Sequence, residues 1–220
     1  MADAILYHLP GAGSFAPHVV LEETGTPHEL VRVVRDDAGT PIEPDGYLAI
    51  SPSGRVPALV WPDGTAQTES AAICLAIAER AGRDALIPAI GASARAEVLT
   101  RLVFLTNTVQ ETILRARYPQ RFADGDDARG DVAARAERDL AALRDRCAAW
   151  YRGDAAFIRG DEPGVDDIYL GMLVRWTRLT AAPWWDEPAL GAFYDAFHAL
   201  PSVTRAREQE GIEARPPAGT

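Results

Sequence analysis

Two pairs of residues within positions 54–70 could bind a ligand. In one, a proline follows an apolar residue, and in the other an acidic residue precedes a serine. Pro57 has no N–H for a sheet, so we expect it at the start of a strand, where a bend or a cis peptide bond turns the backbone of Val56 away from its neighbours. The N–H and C=O of Val56 would then be free for a ligand. Glu69 and Ser70 stand where a helix begins, beside its unpaired N–H groups. That point suits a carboxylate.

Ser14 offers a hydroxyl at the start of the first predicted helix. A turn at residues 10–13 precedes it, and the helix is predicted over about residues 14–23. Capping of the helix alone would explain a serine there. The preceding strand ends in Tyr7 and His8, which strand alternation puts on opposite faces, so at most one of them can face a cleft.

The elements that carry these groups are predicted from the periodicity of apolar residues and from turn signals. Strands are expected over residues 4–8 and 29–34. A hairpin over residues 56–68 leads directly into a helix from Glu69 to about residue 81. Residues 35–52 are rich in Asp, Gly and Pro and are predicted to form a loop with at most one helical turn.

Strand signals disappear in the second half of the chain, where long amphipathic helices are predicted instead. One apolar stripe with helical spacing consists of Val98, Leu102, Leu105, Val109 and Ile113. The pattern predicts an α/β domain at residues 1–81, a linker at 82–91 and an all-helical domain at 92–220.

Composition excludes several classes of partner. The net charge of −10 argues against nucleic acid and anionic membranes. No apolar run is long enough to span a bilayer and no signal peptide is recognisable, so we expect a cytoplasmic protein. The two cysteines, Cys74 and Cys147, lie far apart in helical patterns and form no metal or redox motif, so no metal is expected.

The motif G-x-V-P-A-L, followed after a D-G hairpin by T-E-S-A-A-I, closely resembles the glutathione-binding half of the glutathione transferase family. The resemblance implies a thioredoxin-like first domain, an all-helical second domain and glutathione as co-substrate. It also implies that Val56, before a cis Pro57, pairs with the cysteine backbone of glutathione. Glu69 and Ser70 would hold its γ-glutamyl end.

Residues 10–18 read P-G-A-G-S-F-A-P-H and resemble P-G-A-C-S-x-A-P-H of the bacterial beta-like transferases. The cysteine of that motif is Gly13 here, so cysteine-type thiol exchange with glutathione is not expected. In serine-type members of the fold a hydroxyl at a helix start favours the thiolate, which makes Ser14 the leading catalytic candidate beside its role as a cap. His8 and Tyr7 are the alternatives. The resemblance favours His8 for the face towards the cleft, as a residue of the substrate pocket, although a structural histidine explains it equally well.

Further site residues follow from the same resemblance. Arg35 and Arg55 are the basic groups nearest the expected glycine carboxylate of glutathione. The helix at residues 95–118 would supply the pocket for the electrophile. Its candidate pocket residues are Phe104, Asn107, Gln110 and Glu111.

Two other features of the family are altered in this chain. The asparagine and histidine that beta-class members use on the pocket helix align with Val103 and Gln110. In the family's N-capping box, Asp167 fits the acidic position while Gly164 replaces the hydroxyl residue, which implies a role for Asp167 in folding.

Three functions remain open from the sequence. The first is a glutathione transferase that acts on a small apolar electrophile. The second is a non-catalytic protein of the same fold that binds glutathione or an apolar ligand, and the third is a regulatory dimer that binds a protein. The intact Val56-Pro57 and Glu69-Ser70 pairs favour the first two. A symmetric homodimer is expected from the resemblance.

Overall fold

The computed structural model describes three stretches of the chain, residues 3–36, 39–151 and 155–215. Contacts divide the chain into two units. The first contains Met1–Ile87 and Leu200–Glu213, and the second contains Pro88–Ala199 and Ala214–Thr220. Sequence analysis assigned all of residues 92–220 to one helical domain, whereas the last helix clusters with the first unit.

Six strands are described, namely β1 (Ala4–His8), β2 (His28–Arg32), β3 (Val34–Arg35), β4 (Pro41–Glu43), β5 (Ala58–Val60) and β6 (Ala66–Thr68). A four-stranded sheet has the order β2-β1-β5-β6, and β3 pairs with β4 in a separate hairpin. The β1–β2 pair is parallel, while β1–β5 and β5–β6 are antiparallel. This mixed sheet fits the predicted α/β class.

The helices of the first unit are α1 (Phe15–Thr24), α2 (Tyr47–Ile50), α3 (Ser70–Arg80) and α9 (Pro201–Glu210). Helix α1 makes the crossover between the parallel strands β1 and β2 and packs against α3. It ends at Gly25, whose φ of 65° suits glycine at a helix C-terminus.

Helix α9 belongs to the first unit because its polar side chains bond to helix α1. Arg205 Nε donates to Glu22 Oε2 at 2.6 Å, and Gln209 Nε2 donates to Glu22 Oε1 at 3.0 Å. Glu210 Oε1 lies 2.9 Å from Nδ1 of His18. No periodicity in the sequence indicates that these partners meet, because 183 to 192 residues separate them.

The predicted loop at residues 35–52 contains more structure than expected. The β3–β4 hairpin and the short helix α2 both fall within or beside it. The predicted strand 29–34 is interrupted at Val33, which is fully buried between β2 and β3. Strands of two and three residues carry too little alternation to stand out among Asp, Gly and Pro residues.

The second unit is helical over its described part. Its helices are α4 (Ser93–Phe104), α5 (Glu111–Arg117), α6 (Asp126–Ala148), α7 (Val165–Trp176) and α8 (Pro188–Ala199). A π-helical segment, Leu105–Gln110, joins α4 directly to α5. The helix predicted over residues 95–118 is therefore continuous but irregular at its centre, which the apolar stripe does not reveal.

Helix α7 is buried along its whole length and begins with a buried carboxylate. Asp167 accepts hydrogen bonds from the Gly164 N–H at 2.8 Å and from the Tyr151 hydroxyl at 2.9 Å. Burial, together with the neighbouring Asp166 carboxylate, raises the pKa of Asp167 to about 6. The folding role implied for Asp167 fits these contacts, because they satisfy donors that water cannot reach.

Candidate functional site

Three segments that are far apart in sequence meet at Gly13, just before helix α1. A Cβ atom placed on Gly13 would lie 3.1 Å from Ser70 Oγ and 3.5 Å from the Val56 carbonyl oxygen. The first turn of α1, the lead-in to β5 and the start of α3 therefore converge on one point. The structure brings together Val56 and Ser70, which sequence analysis predicts to bind one ligand.

The backbone of Val56 is unpaired within the described part of the chain. The Val56–Pro57 peptide bond is cis, one of the two arrangements expected. Strand β5 begins only at Ala58, and neither the N–H nor the C=O of Val56 bonds to another described backbone group. One donor and one acceptor on the same residue are available to an extended peptide-like ligand.

Glu69 combines an exposed side chain with a rare backbone conformation. Its φ of 66° is the only positive value among the described residues other than glycine. Such a conformation costs about 1–3 kcal/mol and is concentrated at functional sites. Glu69 immediately precedes helix α3, and the Ser70 hydroxyl beside it has no hydrogen-bond partner among the described residues.

The hydroxyl of Ser14 forms hydrogen bonds within the preceding turn. Ser14 is fully buried, and its Oγ accepts from the Leu9 N–H and donates to the Leu9 C=O, both at 3.1 Å. It makes no capping bond to helix α1. These contacts count against both roles predicted for Ser14, the thiolate donor and the side-chain cap. The hydroxyl donates its one proton to the Leu9 C=O, and its oxygen accepts from the Leu9 N–H and not from an N–H of α1.

The N–H groups at the start of α1 remain as donors. Neither the Gly13 nor the Ser14 N–H bonds to another described backbone group. Both belong to the end of α1 that carries the positive partial charge of the helix dipole. A thiolate beside Gly13 would thus meet backbone donors.

His8 lies in a buried polar cluster that helix α9 completes. The Glu210 carboxylate lies close to the imidazole rings of His8 and His18. Its Oε1 is 3.9 Å from His8 Nδ1 and 2.9 Å from His18 Nδ1. Its Oε2 accepts from the Gly11 N–H at 2.7 Å. Burial lowers the pKa of His8, and the nearby Glu210 carboxylate opposes this shift. With 6% of its surface exposed, His8 fits the structural alternative better than a role in a substrate pocket.

Glu210 is a site-supporting residue that sequence reasoning missed. It holds Gly11, two residues before Gly13, and so fixes the turn that leads into α1. Its position in a polar C-terminal helix gives no sequence signal, because the contact spans 199 residues.

The two arginines predicted near the glycine carboxylate differ in their contacts. Arg35 is half-buried, and its Nη2 donates to the Gly54 C=O at 3.1 Å. Arg55 is exposed, and only its backbone is used, since its C=O accepts from the Tyr47 hydroxyl at 2.6 Å. Arg35 therefore fixes the lead-in to Val56, while the Arg55 guanidinium stays available.

The four predicted pocket residues lie within or directly beside the π-helical segment and have different surroundings. The Phe104 ring lies 3.9 Å from the Arg146 guanidinium carbon. Gln110 Oε1 accepts from the Tyr169 hydroxyl at 2.6 Å. Glu111 forms an ion pair with Arg115 at 3.7 Å on the helix surface. The remaining candidate is Asn107, whose side chain is exposed.

A half-open cavity of about 450 Å³ in the second unit contains none of these four residues. It lies beside α5 and α6 and is lined by Thr112, Arg115, Phe122, Asp131, Val132, Arg135, Ala136 and Asp139. Its charged side chains are largely paired, as in the Arg135–Asp139 bridge at 2.9 Å. The structure therefore shows a pocket near the predicted helix but on a different set of residues.

One group of side chains in the first unit has the composition of a metal site. The ligand atoms of His18, Glu22 and His28 lie within 4.8 Å of one another. Both ring nitrogens of His18 already have partners, however, with Nε2 2.6 Å from Gln209 Oε1.

The described helices were also compared with the length and hydropathy that a bilayer requires, and none of them could span one.

Comparisons with known proteins define the class to which this fold and site belong. A family model described as "Glutathione S-transferase, N-terminal domain" matches residues 14–80. Glutathione S-transferase GST-4.5 of Xanthomonas campestris is 32% identical over 207 residues, covering 94% of this chain and 98% of that protein. Glutathione S-transferase GstA of Escherichia coli is 26% identical over 215 residues, covering 94% and 99%.

Solved structures agree with these sequence relatives. The sphingomonad glutathione S-transferase complexed with glutathione has a TM-score of 0.80 and 32% identity, covering 95% of this chain and all of that one. A glutathione transferase homolog from Sulfitobacter with bound glutathione has a TM-score of 0.85 and 27% identity, covering 96% of this chain and 100% of that chain. The chain belongs to the glutathione S-transferase family. Its fold is the predicted one, a thioredoxin-like domain with an all-α domain.

Proposed function

We propose that this chain is a glutathione S-transferase that binds glutathione between the Val56 backbone and the start of helix α3. One observation carries the proposal: the Val56 carbonyl oxygen and Ser70 Oγ both lie beside Gly13, and neither has a hydrogen-bond partner among the described residues. The Val56 N–H and C=O suit the cysteine backbone of the tripeptide. Glu69 and Ser70, with the first N–H groups of α3, suit its γ-glutamyl group. The glutathione complexes of related structures support the same co-substrate.

The thiolate is held by backbone N–H groups in this proposal. The Ser14 hydroxyl is buried and bonded to Leu9, while the N–H groups of Gly13 and Ser14 are unpaired at the positive end of α1. Lowering the pKa of a thiol by one unit corresponds to about 1.4 kcal/mol, which two such donors can supply. Backbone donors replace the serine hydroxyl as the proposed thiolate-stabilising groups.

The reaction follows from a stabilised thiolate. Its sulfur attacks the electrophilic carbon of the second substrate, a C–S bond forms, and the leaving group departs with the electron pair of its former bond. The thiol proton passes to solvent when glutathione binds. Because Gly13 carries no thiol, no covalent bond between protein and glutathione forms at this place.

Arg55 is the proposed partner of the glycine carboxylate, because its guanidinium is exposed and Arg35 is engaged with Gly54. We assign Asn107 to the electrophile pocket because its side chain is exposed as well.

The proposed assembly is a symmetric homodimer, and the proposed location is the cytoplasm. Light scattering at micromolar concentration tests the dimer, and a monomeric mass contradicts it.

Calorimetric titration with glutathione tests the binding site. Replacing both side chains, Glu69→Ala with Ser70→Ala, removes the charge-assisted partners of the γ-glutamyl group and should weaken binding by about 2–4 kcal/mol. Glu29→Ala removes an exposed carboxylate from strand β2 and serves as the matched control, with unchanged affinity expected. An unchanged dissociation constant in the double variant contradicts the site.

A non-catalytic binding protein is the second candidate, favoured by the burial of the Ser14 hydroxyl. A panel of electrophiles with glutathione separates the two functions. Conjugation above the uncatalysed rate supports the transferase, and saturable glutathione binding without conjugation supports the binding protein.

A further inference from the structure

His18, Glu22 and His28 bring three possible metal ligands together in the first unit. His18 and Glu22 lie one turn apart on helix α1, and His28 opens strand β2. Their ligand atoms lie within 4.8 Å of one another, and the three side chains are between 0 and 11% exposed. No other group of three histidine, cysteine, aspartate or glutamate side chains in the described part of the chain does so. Two imidazoles and a carboxylate form a ligand set that zinc uses.

Each histidine of this group is oriented by a hydrogen bond at its inner ring nitrogen. His18 Nδ1 lies 2.9 Å from the buried Glu210 carboxylate, and His28 Nδ1 lies 2.8 Å from the Thr26 C=O. A carboxylate and a carbonyl only accept, so both Nδ1 atoms carry a proton and donate it. Histidines that bind metal are held in this way, by a carboxylate or a backbone carbonyl, with the Nε2 lone pair left for the ion.

The Nε2 atom of His18 faces an oxygen, which is an unfavourable contact unless a cation relieves it. Gln209 Nε2 donates to Glu22 Oε1 at 3.0 Å, and this bond turns the amide oxygen of Gln209 towards His18. The distance from that oxygen to His18 Nε2 is 2.6 Å. With the ring proton on Nδ1, the contact joins two acceptors. A second proton on the ring, or a metal ion in the place of the amide, relieves it, so the geometry calls for a cation on His18.

The Glu22 carboxylate is ordered and has one oxygen directed at the group. Arg205 Nε donates to Glu22 Oε2 at 2.6 Å, while Glu22 Oε1 lies 3.6 Å from His28 Nε2. Carboxylates that bind metal are themselves held by hydrogen bonds in this manner. A cation beside the two histidines is attracted by Glu22 directly and by Glu210 through the His18 ring, and Arg205 opposes only part of that attraction.

We propose that His18, Glu22 and His28 form a zinc site in the first unit, independent of the proposed transferase function. Zinc binds imidazole nitrogen and carboxylate oxygen at about 2.0–2.2 Å, so the ligand atoms around one ion are about 3.4 Å apart. The three side chains therefore close by about 1 Å, and Gln209 gives up its place beside His18. The expectation of no metal rested on the cysteines, whereas these ligands come from two elements. The ion ties α1 to β2 and, through Glu210, to α9.

Zinc titration of the untagged chain tests the site, in the absence of glutathione because its thiol binds zinc itself. Competition with a chromogenic chelator should show one zinc ion bound per chain. Magnesium at the same concentration should not bind, because it prefers oxygen ligands alone. The thermal midpoint should rise with the concentration of zinc. Zinc binding no tighter than magnesium binding overturns the proposal and leaves His18 as an imidazolium.

Matched variants assign the ligands. Glu22→Gln and His28→Gln each remove one ligand and should weaken zinc binding at least about tenfold. Glu23→Gln removes the neighbouring carboxylate, whose partner is Arg83, and should leave the affinity unchanged. If Glu22→Gln does not fold, as judged by circular dichroism, the His28 variant decides alone. Equal affinities of the wild type and a folded His28→Gln variant overturn the assignment.

Two further changes test the surroundings of the ion. Gln209→Ala should keep or raise the affinity for zinc, because Gln209 occupies the place of the ion in the metal-free chain. Glu210→Gln should lower it about 10- to 100-fold, since the partner of His18 loses its charge. A tenfold loss in the Gln209 variant overturns the arrangement. X-ray absorption at the zinc edge should show nitrogen and oxygen neighbours, and sulfur neighbours would place the zinc on a cysteine and overturn the proposal.

Discussion

The candidate ligand-binding groups of the two units come from different parts of the residue. In the first unit, the groups at Gly13 are backbone atoms and the short hydroxyl of Ser70. In the second, the cavity beside α5 and α6 is lined by side chains from both helices, among them Arg115 and Asp139. Backbone sites need particular residues at particular places, such as a glycine or a proline, and these leave a motif. Side-chain clusters assembled from separate helices leave none.

In each unit, a buried carboxylate accepts hydrogen bonds at a turn or at a helix start. Asp167 serves the start of α7, where it accepts from Gly164 and Tyr151. Glu210 serves the turn before α1, where it accepts from Gly11 and lies against His18. We therefore expect the first to support packing alone, and the second to support both packing and the proposed glutathione site. The following variants test that difference.

Asp167→Ala should have the largest effect on stability. It leaves the Gly164 N–H, the Ile158 N–H and the Tyr151 hydroxyl without their shared acceptor, and should lower the free energy of unfolding by about 3–5 kcal/mol. Urea denaturation measures the change, and Asp139→Ala, on the exposed face of α6, is the control. The affinity of the folded fraction for glutathione should not change. A loss of affinity would contradict the difference proposed between Asp167 and Glu210.

Glu210→Ala should cost less stability but also affect the site. Loss of the bonds to Gly11 and His18 should lower the free energy of unfolding by about 2–3 kcal/mol. Because Gly11 is part of the turn that leads to Gly13, glutathione binding should weaken as well. Denaturation and calorimetry on one preparation measure both. A stability loss with unchanged affinity would make Glu210 equivalent to Asp167.

Gly13→Ala should weaken glutathione binding with little change in stability. The added methyl group lies 3.1 Å from Ser70 Oγ and occupies the corner where the ligand groups converge. We expect about 1.4 kcal/mol, or tenfold in the dissociation constant. The companion Gly13→Cys should form a mixed disulfide with oxidised glutathione, detected by mass spectrometry. A folded Cys variant that binds glutathione but forms no adduct would show that the thiol does not lie at Gly13.

Ser14→Ala should have the smallest effect. Loss of the two bonds to Leu9 should cost about 1 kcal/mol of stability. The pKa of bound glutathione, followed by the ultraviolet absorbance of the thiolate, should stay the same, because the hydroxyl bonds to Leu9 and not to sulfur. A raised midpoint would restore Ser14 as the catalytic group and remove the contrast between backbone and side-chain sites.

The sequence predicted the parts of the site that depend on local backbone conformation. The unpaired Val56 and the helix start at Ser70 follow from a proline and a hairpin within 15 residues. The bonds between the Ser14 hydroxyl and Leu9 were not predicted, because they form in a turn whose geometry a residue pattern does not contain. The contribution of Glu210 could not be predicted, because it depends on α9 folding back onto α1.

The same limit applies to the second half of the chain. Apolar stripes predicted its helices, since burial repeats with the helical period. They do not report the widening at Leu105–Gln110, because a π-turn changes hydrogen bonding while the stripe continues. The cavity beside α5 and α6 depends on how these two helices pack, which no single segment encodes.

The positive φ of Glu69 bears on how this position can evolve and be engineered. A glycine at this position would adopt φ near 66° without strain, whereas glutamate does so at a cost of about 1–3 kcal/mol. Selection for stability alone would therefore disfavour glutamate here. In the proposed site its presence is a trade-off between stability and function, because the carboxylate that it offers to glutathione offsets the strain. Screens that select variants only for thermal resistance should recover substitutions at Glu69 that stabilise the fold and lose the ligand.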